Sequence, residues 1–522
     1  MQQLQTWKYS VTHRCTAWVT RVAKQSVFYQ VLQAMVRMFT QSYTAGIVCR
    51  LLRRDCATAH SRYARIVRHA DNRLRPAGEA IKRGWTNSLL GRLAHALRWR
   101  EARDNSLLAF SVRRTCLVVL ALYLPIDVIL RAVSPTPLVP ALWDAVLFAV
   151  GIAIVLARRM QSNRTIDGIT GIDAPMLFFM AIGVFLWLVN SPDMLIGFTG
   201  LRTVIQFMLF FFFVTWLVET REDIKFFLYP FLVLGLIVAF HGIWQYATGV
   251  PMPGRWVTGV ENEFIRTRAF SFIGSPNVMG SLLILWVPLM AAMAYRWKSF
   301  YLKVVAWAGV GAMALASVLT FSRGGWIGLA VALLLFALIV DRRLLLLLGG
   351  AILLAMSIPA VGGRIAFMFS EDFRAASALA GRDMRWDFGM NLWREGNVWL
   401  GFGLGRFGGA TAMNNQVIPE MNYFYMDNYY VKTLVEMGLL GLLSFIFLCL
   451  SGLWNAARSI FATRENRTDK VLPAAIFCGA VGILVHCFFE NVFEVPYMVA
   501  YFWALLAISG RWAALIKTEK AA

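Results

Sequence analysis

Three arginines lie beside apolar or glycine-rich stretches, where a positive charge needs a binding partner. Arg323 precedes two glycines in TFSRGGWIGLA, at the junction of two apolar runs. Arg268 lies shortly before the stretch GSPN, and Arg382 lies in a long segment rich in glycine and aromatic residues. A guanidinium presents a planar fork of donors that suits phosphate oxygens. Three such cations on one face of a membrane would suit a diphosphate head group.

Each arginine taken alone has a simpler explanation. An arginine near a membrane surface can extend toward water, or it can pair with a nearby acid such as Glu261 or Asp383. An arginine at membrane depth is costly, however, so it usually pairs or contacts a ligand. The combination of three favours an anionic ligand over three unrelated pairs.

Asp427 is the acid best placed to take a proton in the same region. It precedes an apolar run in MDNYYVKTLVEMGLLGLL, and an aspartate can accept a hydroxyl proton when its pKa suits the task. The position is equally ordinary for a helix N-cap, and one residue could serve both roles. Lys432 and Glu436 are four residues apart on this helix and are expected to pair. Glu490 and Glu494 flank the last short loop, where either could orient an arginine or cap the hairpin.

These side chains must be positioned by membrane helices. The chain of 522 residues is 58% hydrophobic and 15% charged, whereas soluble domains are about half apolar and about a quarter charged. Apolar runs long enough to cross a bilayer recur along it, so we predict an all-α integral membrane protein with about 12 transmembrane helices. The predicted spans are 112–131, 138–157, 172–190, 193–217, 225–246, 276–295, 302–320, 325–340, 343–360, 428–453, 471–489 and 494–515.

The distribution of Lys and Arg predicts which loops share a side. Most short basic loops fall on one side together with both termini, so both termini are predicted to be cytoplasmic. The two long segments 247–275 and 361–427 then lie on the opposite, extracytoplasmic side. Their arginines and Asp427 share that side with Arg323.

The N-terminal part of the chain is strongly basic. Residues 1–114 contain 21 Lys and Arg against 5 Asp and Glu. We predict that residues 1–110 form a cytoplasmic amphipathic segment on the membrane surface, bound to anionic lipid and not to nucleic acid, ahead of a membrane domain over 111–522. In NSLLGRLAHALRWR, Asn87 or Ser88 could cap an in-plane helix. A plain solvated basic segment is the alternative.

No pattern in the sequence indicates a cofactor. The seven cysteines lack zinc-type spacing, and there is no DxD, HExxH, P-loop or dinucleotide-binding motif. We therefore expect metal-independent chemistry. The glycine-rich stretch GFGLGRFGG is expected to form a tight surface turn.

Taken together, the motifs resemble those of the bacterial O-antigen ligase and O-antigen polymerase superfamily. FSRGGWIGLAVALLLF resembles its signature, RAFSFIGSPNVMG its Arg-to-Pro-Asn motif, and GRDMRWDFGMNLW its arginine–tryptophan element. DNYYVKTLVEMGLLGLL and LVHCFFENVFEVP resemble its last two elements. The resemblance runs from about residue 110 to 515.

This resemblance implies a GT-C-type glycosyltransferase in the bacterial cytoplasmic membrane, with an extracytoplasmic active site. It would transfer or polymerise glycans from an undecaprenyl-diphosphate-linked oligosaccharide donor onto a glycan or lipid-anchored acceptor. Motif position assigns diphosphate binding to Arg268, Arg323 and Arg382, and Arg323 would also stabilise the leaving group in catalysis. Asp427 is the candidate catalytic base, and Asn277, Tyr429 and Glu490 are further candidates for binding the diphosphate or the substrate. Ligases of the family have a histidine at the position of Asp427, so this departure favours a polysaccharide polymerase.

Two other functions remain open at this point. A transporter of an anion or of a lipid-linked intermediate would explain the many spans, although polar mid-membrane helices would then be expected. A structural subunit of the polysaccharide export machinery would use the basic segment to dock. That machinery is also a candidate partner of a transferase.

Overall fold

The structure is a computed structural model, and all of its described residues lie in the compact unit 58–522. It describes residues 62–88, 112–134, 136, 138–160, 168–253, 267–367, 370–371, 382–418 and 425–521. The α-helices of this part of the chain are α1 (Arg62–Asn87), α2 (Val112–Ala121), α3 (Tyr123–Val133), α4 (Leu138–Arg159), α5 (Asp173–Val189), α6 (Met194–Ile205), α7 (Leu209–Leu217), α8 (Arg221–Thr248), α9 (Pro276–Arg296), α10 (Phe300–Leu319), α11 (Arg323–Ile339), α12 (Leu344–Met356), α13 (Pro359–Phe367), α14 (Arg382–Glu395), α15 (Ala410–Asn414), α16 (Tyr429–Ala462), α17 (Arg467–His486) and α18 (Pro496–Ala521).

The predicted all-α membrane architecture is confirmed, but the count of twelve spans is not. Among the described residues, eight helical segments are long and apolar enough to cross a membrane, or nine if the bent pair α2 and α3 forms one span. The other predicted spans correspond to the shorter apolar helices α5, α11 and α12. Length and composition do not decide whether these shorter helices cross the bilayer.

Helix α9 forms the centre of the helix bundle. Every residue from Val278 to Ala294 is buried, because α10, α11 and α17 pack against it. Such an all-round apolar helix is typical of a bundle interior. Its first turn carries Asn277, so the most buried helix of the protein positions one of the predicted site residues.

Glycines let α11 and α17 approach each other closely. A Cβ added to Gly328 would lie 2.8 Å from the carbonyl oxygen of Gly482, and one added to Gly482 would lie 2.6 Å from that of Gly328. Small residues at such crossings are common in membrane bundles. The start of α11, with Arg323, is thereby fixed against the end of α17.

Helix α16 is interrupted at Gly438, and the glycine-rich stretch fills the break. Gly438 has φ 63° and ψ −168°, a backbone region that is essentially restricted to glycine. Val435 and Glu436 accept hydrogen bonds from the amides of residues 402 and 403, at 2.7 and 3.1 Å. The stretch GFGLGRFGG is therefore not the predicted surface turn: Leu404 and Phe407 are buried.

A buried ion triad holds the same stretch. Lys432 lies 2.5 Å from Glu436, which confirms the predicted pair, and 3.2 Å from Glu494. The two carboxylates also accept hydrogen bonds from the backbone amides of Phe407 and Ala410, at 3.0 and 3.1 Å. The triad therefore joins α16, the glycine-rich stretch and the turn before α18.

Helix α1 docks on the membrane domain. Asp71 is buried and accepts a 2.8 Å hydrogen bond from Arg159 at the end of α4. Gly78 of α1 lies so close to Met160 that a Cβ would meet its carbonyl oxygen at 2.8 Å. The predicted in-plane helix over NSLLGRLAHALRWR lies outside the described residues except for its first two positions, and membrane-surface binding by residues 1–110 stays a prediction.

The break in α16 leads to a first prediction. Gly438→Ala should destabilise the protein, because the backbone strain alone is worth about 1–3 kcal/mol and the new Cβ would lie 2.3 Å from the carbonyl oxygen of Trp399. Thermal unfolding of the purified protein in detergent measures this. Gly311→Ala is the matched control, since a Cβ there meets nothing within 4 Å. Equal melting temperatures for the two variants would contradict the prediction.

The ion triad leads to a second prediction. Lys432→Met should lower the free energy of unfolding by about 3–5 kcal/mol, because it leaves two carboxylates buried without their cation. Lys225→Met, which breaks the exposed pair with Glu222, should change it by less than about 1 kcal/mol. Denaturant titration in detergent compares the two. A stable Lys432→Met protein would show that the triad contributes little.

Candidate functional site

Five separate segments meet at one end of the helix bundle. They are the turn 267–275, the α10–α11 junction, α14, the residues just before α16 and the turn after α17. Contacts between these segments, some of them through Asn277 of α9, hold them together, and each segment carries at least one residue that the sequence assigns to the site.

Arg268 joins the turn 267–275 to the end of α10. Its Nε donates to the carbonyl oxygen of Thr320 at 2.8 Å, and the amide of Ala269 donates to that of Leu319 at 2.8 Å. Its Nη2 donates to Asn277 Oδ1 at 3.2 Å, at the start of α9. The buried guanidinium is thus held within reach of both α9 and the junction that carries Arg323.

Asn277 connects Arg268 to Glu490 through hydrogen bonds. Its Nδ2 donates to Glu490 Oε2 at 2.6 Å, in the turn after α17. The Asn277 side chain accepts from a guanidinium and donates to a carboxylate, so both ends of the amide are used. Arg268, Asn277 and Glu490 therefore form one hydrogen-bonded row across three segments.

Arg323 opens α11 beside the turn after α17. The N-cap is Ser322, whose hydroxyl accepts from the amide of Gly325 at 3.3 Å. Gly324 has no room for a side chain, since a Cβ would lie 2.5 Å from Phe489 Cβ. A cation in the first turn of a helix adds to the positive end of the helix dipole. This junction is therefore an electropositive point directly beside residue 489.

Arg382 and Arg385 reach the site from α14. Their spacing of three residues places both on one helix face. Arg382 Nη2 donates to the carbonyl oxygen of Phe489 at 2.9 Å, and its Nε lies 3.5 Å from Asp427 Oδ2. Arg385 Nη1 donates to the same carboxylate oxygen at 2.6 Å. Both arginines of α14 thus pair with an acid, as the simpler explanation has it, but this acid is Asp427 from another segment.

The N-cap of α16 is Asn428 and not Asp427. Asn428 Oδ1 accepts from the amides of Tyr430 and Val431 at 3.0 and 3.1 Å. The side chain of Asp427 is therefore not used for capping and instead contacts the two arginines of α14. It remains 20% exposed, so a substrate can reach it.

Glu490 occupies a drier environment than Asp427. It is 5% exposed, and this burial, reinforced by the negative charge of Asp427, raises the pKa of its carboxyl to about 7. The hydrogen bond from Asn277 and the positive charge of Arg382 act in the opposite direction. Near neutral pH this carboxyl can therefore both accept and release a proton.

Tyr429 differs from the other predicted residues in its surroundings. Its ring is buried, with centroids 5.3 Å from both Phe445 and Phe493. Its amide donates to the carbonyl oxygen of Cys487 at 2.9 Å. The contacts of Tyr429 thus fix the start of α16 against the end of α17.

Sequence reasoning missed two residues of the site. Arg385 contacts Asp427 directly, and only its spacing of three from Arg382 could have indicated it. Tyr425, whose carbonyl oxygen accepts from Arg385 at 3.3 Å, gives no sequence signal of its own. Within the part of the chain that the structure describes, no group of three or more His, Cys, Asp or Glu side chains could hold a metal ion.

Comparison with known protein families identifies this region. Residues 308–446 match the family model described as O-antigen ligase. The match includes Arg323, Arg382 and Asp427, and it leaves Arg268 and Glu490 outside. No curated protein matches the chain significantly. Residues 308–446 are therefore similar to the O-antigen ligase family, which confirms the resemblance to the O-antigen ligase and polymerase superfamily that the motifs predict.

Proposed function

We propose that the protein is a membrane glycosyltransferase that transfers or polymerises glycans from an undecaprenyl-diphosphate-linked donor at the outer face of the cytoplasmic membrane. The observation that carries the proposal is the arrangement of the arginine cluster, defined as Arg268, Arg323, Arg382 and Arg385. These cations come from three segments of the chain. Arg382 and Arg385 contact Asp427, Arg268 connects to Glu490 through Asn277, and Arg323 precedes Gly324, which adjoins Phe489. Cations and carboxylates together suit a reaction in which a diphosphate leaves and a hydroxyl loses its proton.

The arginine cluster acts on the leaving group. When the bond between the anomeric carbon and the diphosphate oxygen breaks, its electron pair stays on that oxygen. Preorganised cations stabilise this developing charge more than they stabilise the intact donor. Arg323, at the positive end of α11, contributes both its own charge and that of the helix terminus.

The carboxylates act on the acceptor. The acceptor hydroxyl must lose a proton as its oxygen attacks the anomeric carbon, and a carboxylate within hydrogen-bond reach can take it. Asp427 and Glu490 adjoin the arginine cluster. The leaving group can therefore be stabilised, and the nucleophile deprotonated, in the same site. Asn277 orients the carboxylate of Glu490, and no step of this reaction requires a metal.

Purified protein and a lipid-diphosphate oligosaccharide test the function directly. A ladder of glycan lengths is the expected product, because the aspartate at position 427 favours a polymerase. A single capped acceptor would indicate a ligase. Uptake of an unmodified substrate into sealed vesicles, with no transfer product, would contradict the proposal.

The arginine cluster leads to a third prediction. Arg323→Ala should reduce transfer roughly 10²–10³-fold, the usual effect of removing one electrostatic stabiliser of a transition state. Arg394→Ala is the matched control, because Arg394 is exposed at the far end of α14. Transfer rates in vitro and glycan chain length in cells measure the effect. Normal expression with unchanged product in Arg323→Ala cells would count against the cluster.

Arg385 leads to a fourth prediction. Arg385→Ala should reduce transfer at least tenfold, because Asp427 loses its closest cation and α14 loses a contact to the start of α16. Arg385→Lys should recover only part of the rate, since an ammonium lacks the planar fork. Steady-state transfer rates of the two variants, compared with the wild type, test this prediction. Wild-type rates in both would exclude Arg385 from the site.

A further inference from the structure

Two carboxylates in one site need not have the same role. Asp427 and Glu490 both adjoin Arg382, yet their immediate partners differ. When the environments of two titratable groups push their proton affinities apart, the groups divide acid and base work between them. The structure therefore permits an assignment that the sequence leaves open.

Asp427 contacts two arginines of α14. Its Oδ2 lies 2.6 Å from Arg385 Nη1 and 3.5 Å from Arg382 Nε. Both guanidiniums therefore share one carboxylate oxygen of Asp427. The same contacts make Asp427 a good anchor for the face of α14.

Glu490 has a neutral hydrogen-bond partner and a buried carboxyl group. Its Oε2 accepts a 2.6 Å hydrogen bond from the neutral amide of Asn277, and its carboxyl is buried with a pKa of about 7. A carboxylate whose pKa lies near the pH of the reaction is suited to general-base catalysis. The titratable or charged groups that interact with it are Asp427, Arg382, Tyr425 and Cys487.

His486 is the other base close to this turn. Its Nδ1 lies 2.9 Å from the hydroxyl of Ser281, and its ring packs so tightly under α11 that a Cβ on Gly324 would lie 2.9 Å from its Cδ2. The histidine is 1% exposed. Its contacts are those of a packing residue between α9, α11 and α17.

On the basis of the proposed function, we propose that Glu490 is the general base of the transfer reaction, and that Asp427 holds Arg382 and Arg385 in place and orients the acceptor hydroxyl. The proton of the hydroxyl passes to the Glu490 carboxylate as its oxygen forms the new bond to the anomeric carbon. The bond from that carbon to the diphosphate oxygen breaks, and its electron pair remains on the diphosphate beside the arginine cluster.

Donor binding reinforces this division of roles. A diphosphate bound to the arginine cluster brings negative charge close to Glu490, and negative charge raises the proton affinity of a carboxylate. Glu490 thus becomes a stronger base when the donor is present.

The pH dependence of transfer by the full-length protein in detergent tests the assignment and is a fifth prediction. The rate follows the ionised fraction of Glu490, so it should rise with pH through about 7 and then level off. Glu490→Gln keeps the oxygen that accepts from Asn277 but cannot take the proton. It should lose about 10²–10⁴-fold in rate at pH 8, the usual contribution of a general base.

Further variants separate a catalytic from a structural role. Glu490→Asp should keep part of the rate and the rise with pH, because it retains a carboxylate. Asp427→Asn should slow transfer but also keep the rise. Glu395→Gln, a change of an exposed acid on α14, should leave rate and profile unchanged. Melting temperature and binding of the labelled lipid-diphosphate donor should be retained in Glu490→Gln, which excludes misfolding as the cause.

Three outcomes overturn the assignment in distinguishable ways. If Glu490→Gln transfers within tenfold of the wild type, or keeps the rise through pH 7, Glu490 is not the base. If the rise disappears in Asp427→Asn and persists in Glu490→Gln, Asp427 is the base and the proposed function stands. If the wild type gives no transfer from a lipid-diphosphate glycan at any pH, the proposed function fails and the base assignment fails with it.

Discussion

Mutual repulsion among arginines is the constraint on which the site depends. Guanidiniums are charged at every accessible pH, and bringing several of them out of water to one place is unfavourable unless acceptors are there to meet them. The backbone carbonyls of Thr320 and Phe489, the side chain of Asn277 and the carboxylate of Asp427 provide those acceptors. The site is thus preorganised by its own acceptors, so little has to move when a diphosphate enters.

The break in α16 fixes residues 398–403 relative to this site. Because residues 398–403 hydrogen-bond to the interrupted turn around Gly438, the stretch that follows α14 is fixed to the same helix that begins beside Asp427. The ion triad of Lys432 fixes the other end of the glycine-rich stretch. The C-terminal end of α14, the helix that carries Arg382 and Arg385, is therefore held close to α16. This contact limits the movement of α14 away from the site.

Local backbone strain occurs beside two of the arginines. Ser271 and Phe321 have φ angles of 52° and 50°, which side chains other than glycine seldom adopt. Gln245 of α8 holds the first turn, since its Oε1 accepts from the amide of Ser271 at 2.6 Å. Phe321 is buried and packs against Tyr246 and Trp326. Strain of this kind persists where the surroundings fix it, and here it flanks the turn of Arg268 and the start of α11.

The sequence alone determined the class of the protein and indicated most of the residues of the candidate site. Hydrophobicity and helical length are local properties of a chain, so the helices and the residue types at their ends could be read directly. The arginines at positions 268, 323 and 382 and the pair of Lys432 with Glu436 were predicted on the same local grounds. The short helices α5, α11 and α12 show the limit of that reasoning, because an apolar run does not fix where a helix ends.

Tertiary structure decided which groups each of those residues contacts and how deeply it is buried. Asp427 and Asn428 are both good N-caps, and only the fold shows that Asn428 takes the cap while Asp427 contacts α14. The partner of Arg385 lies 42 residues away, and Glu490 owes its raised pKa to burial and to charges on other segments. The partner of a buried charge depends on which distant segments pack around it, and this packing cannot be read from the neighbouring residues of the chain.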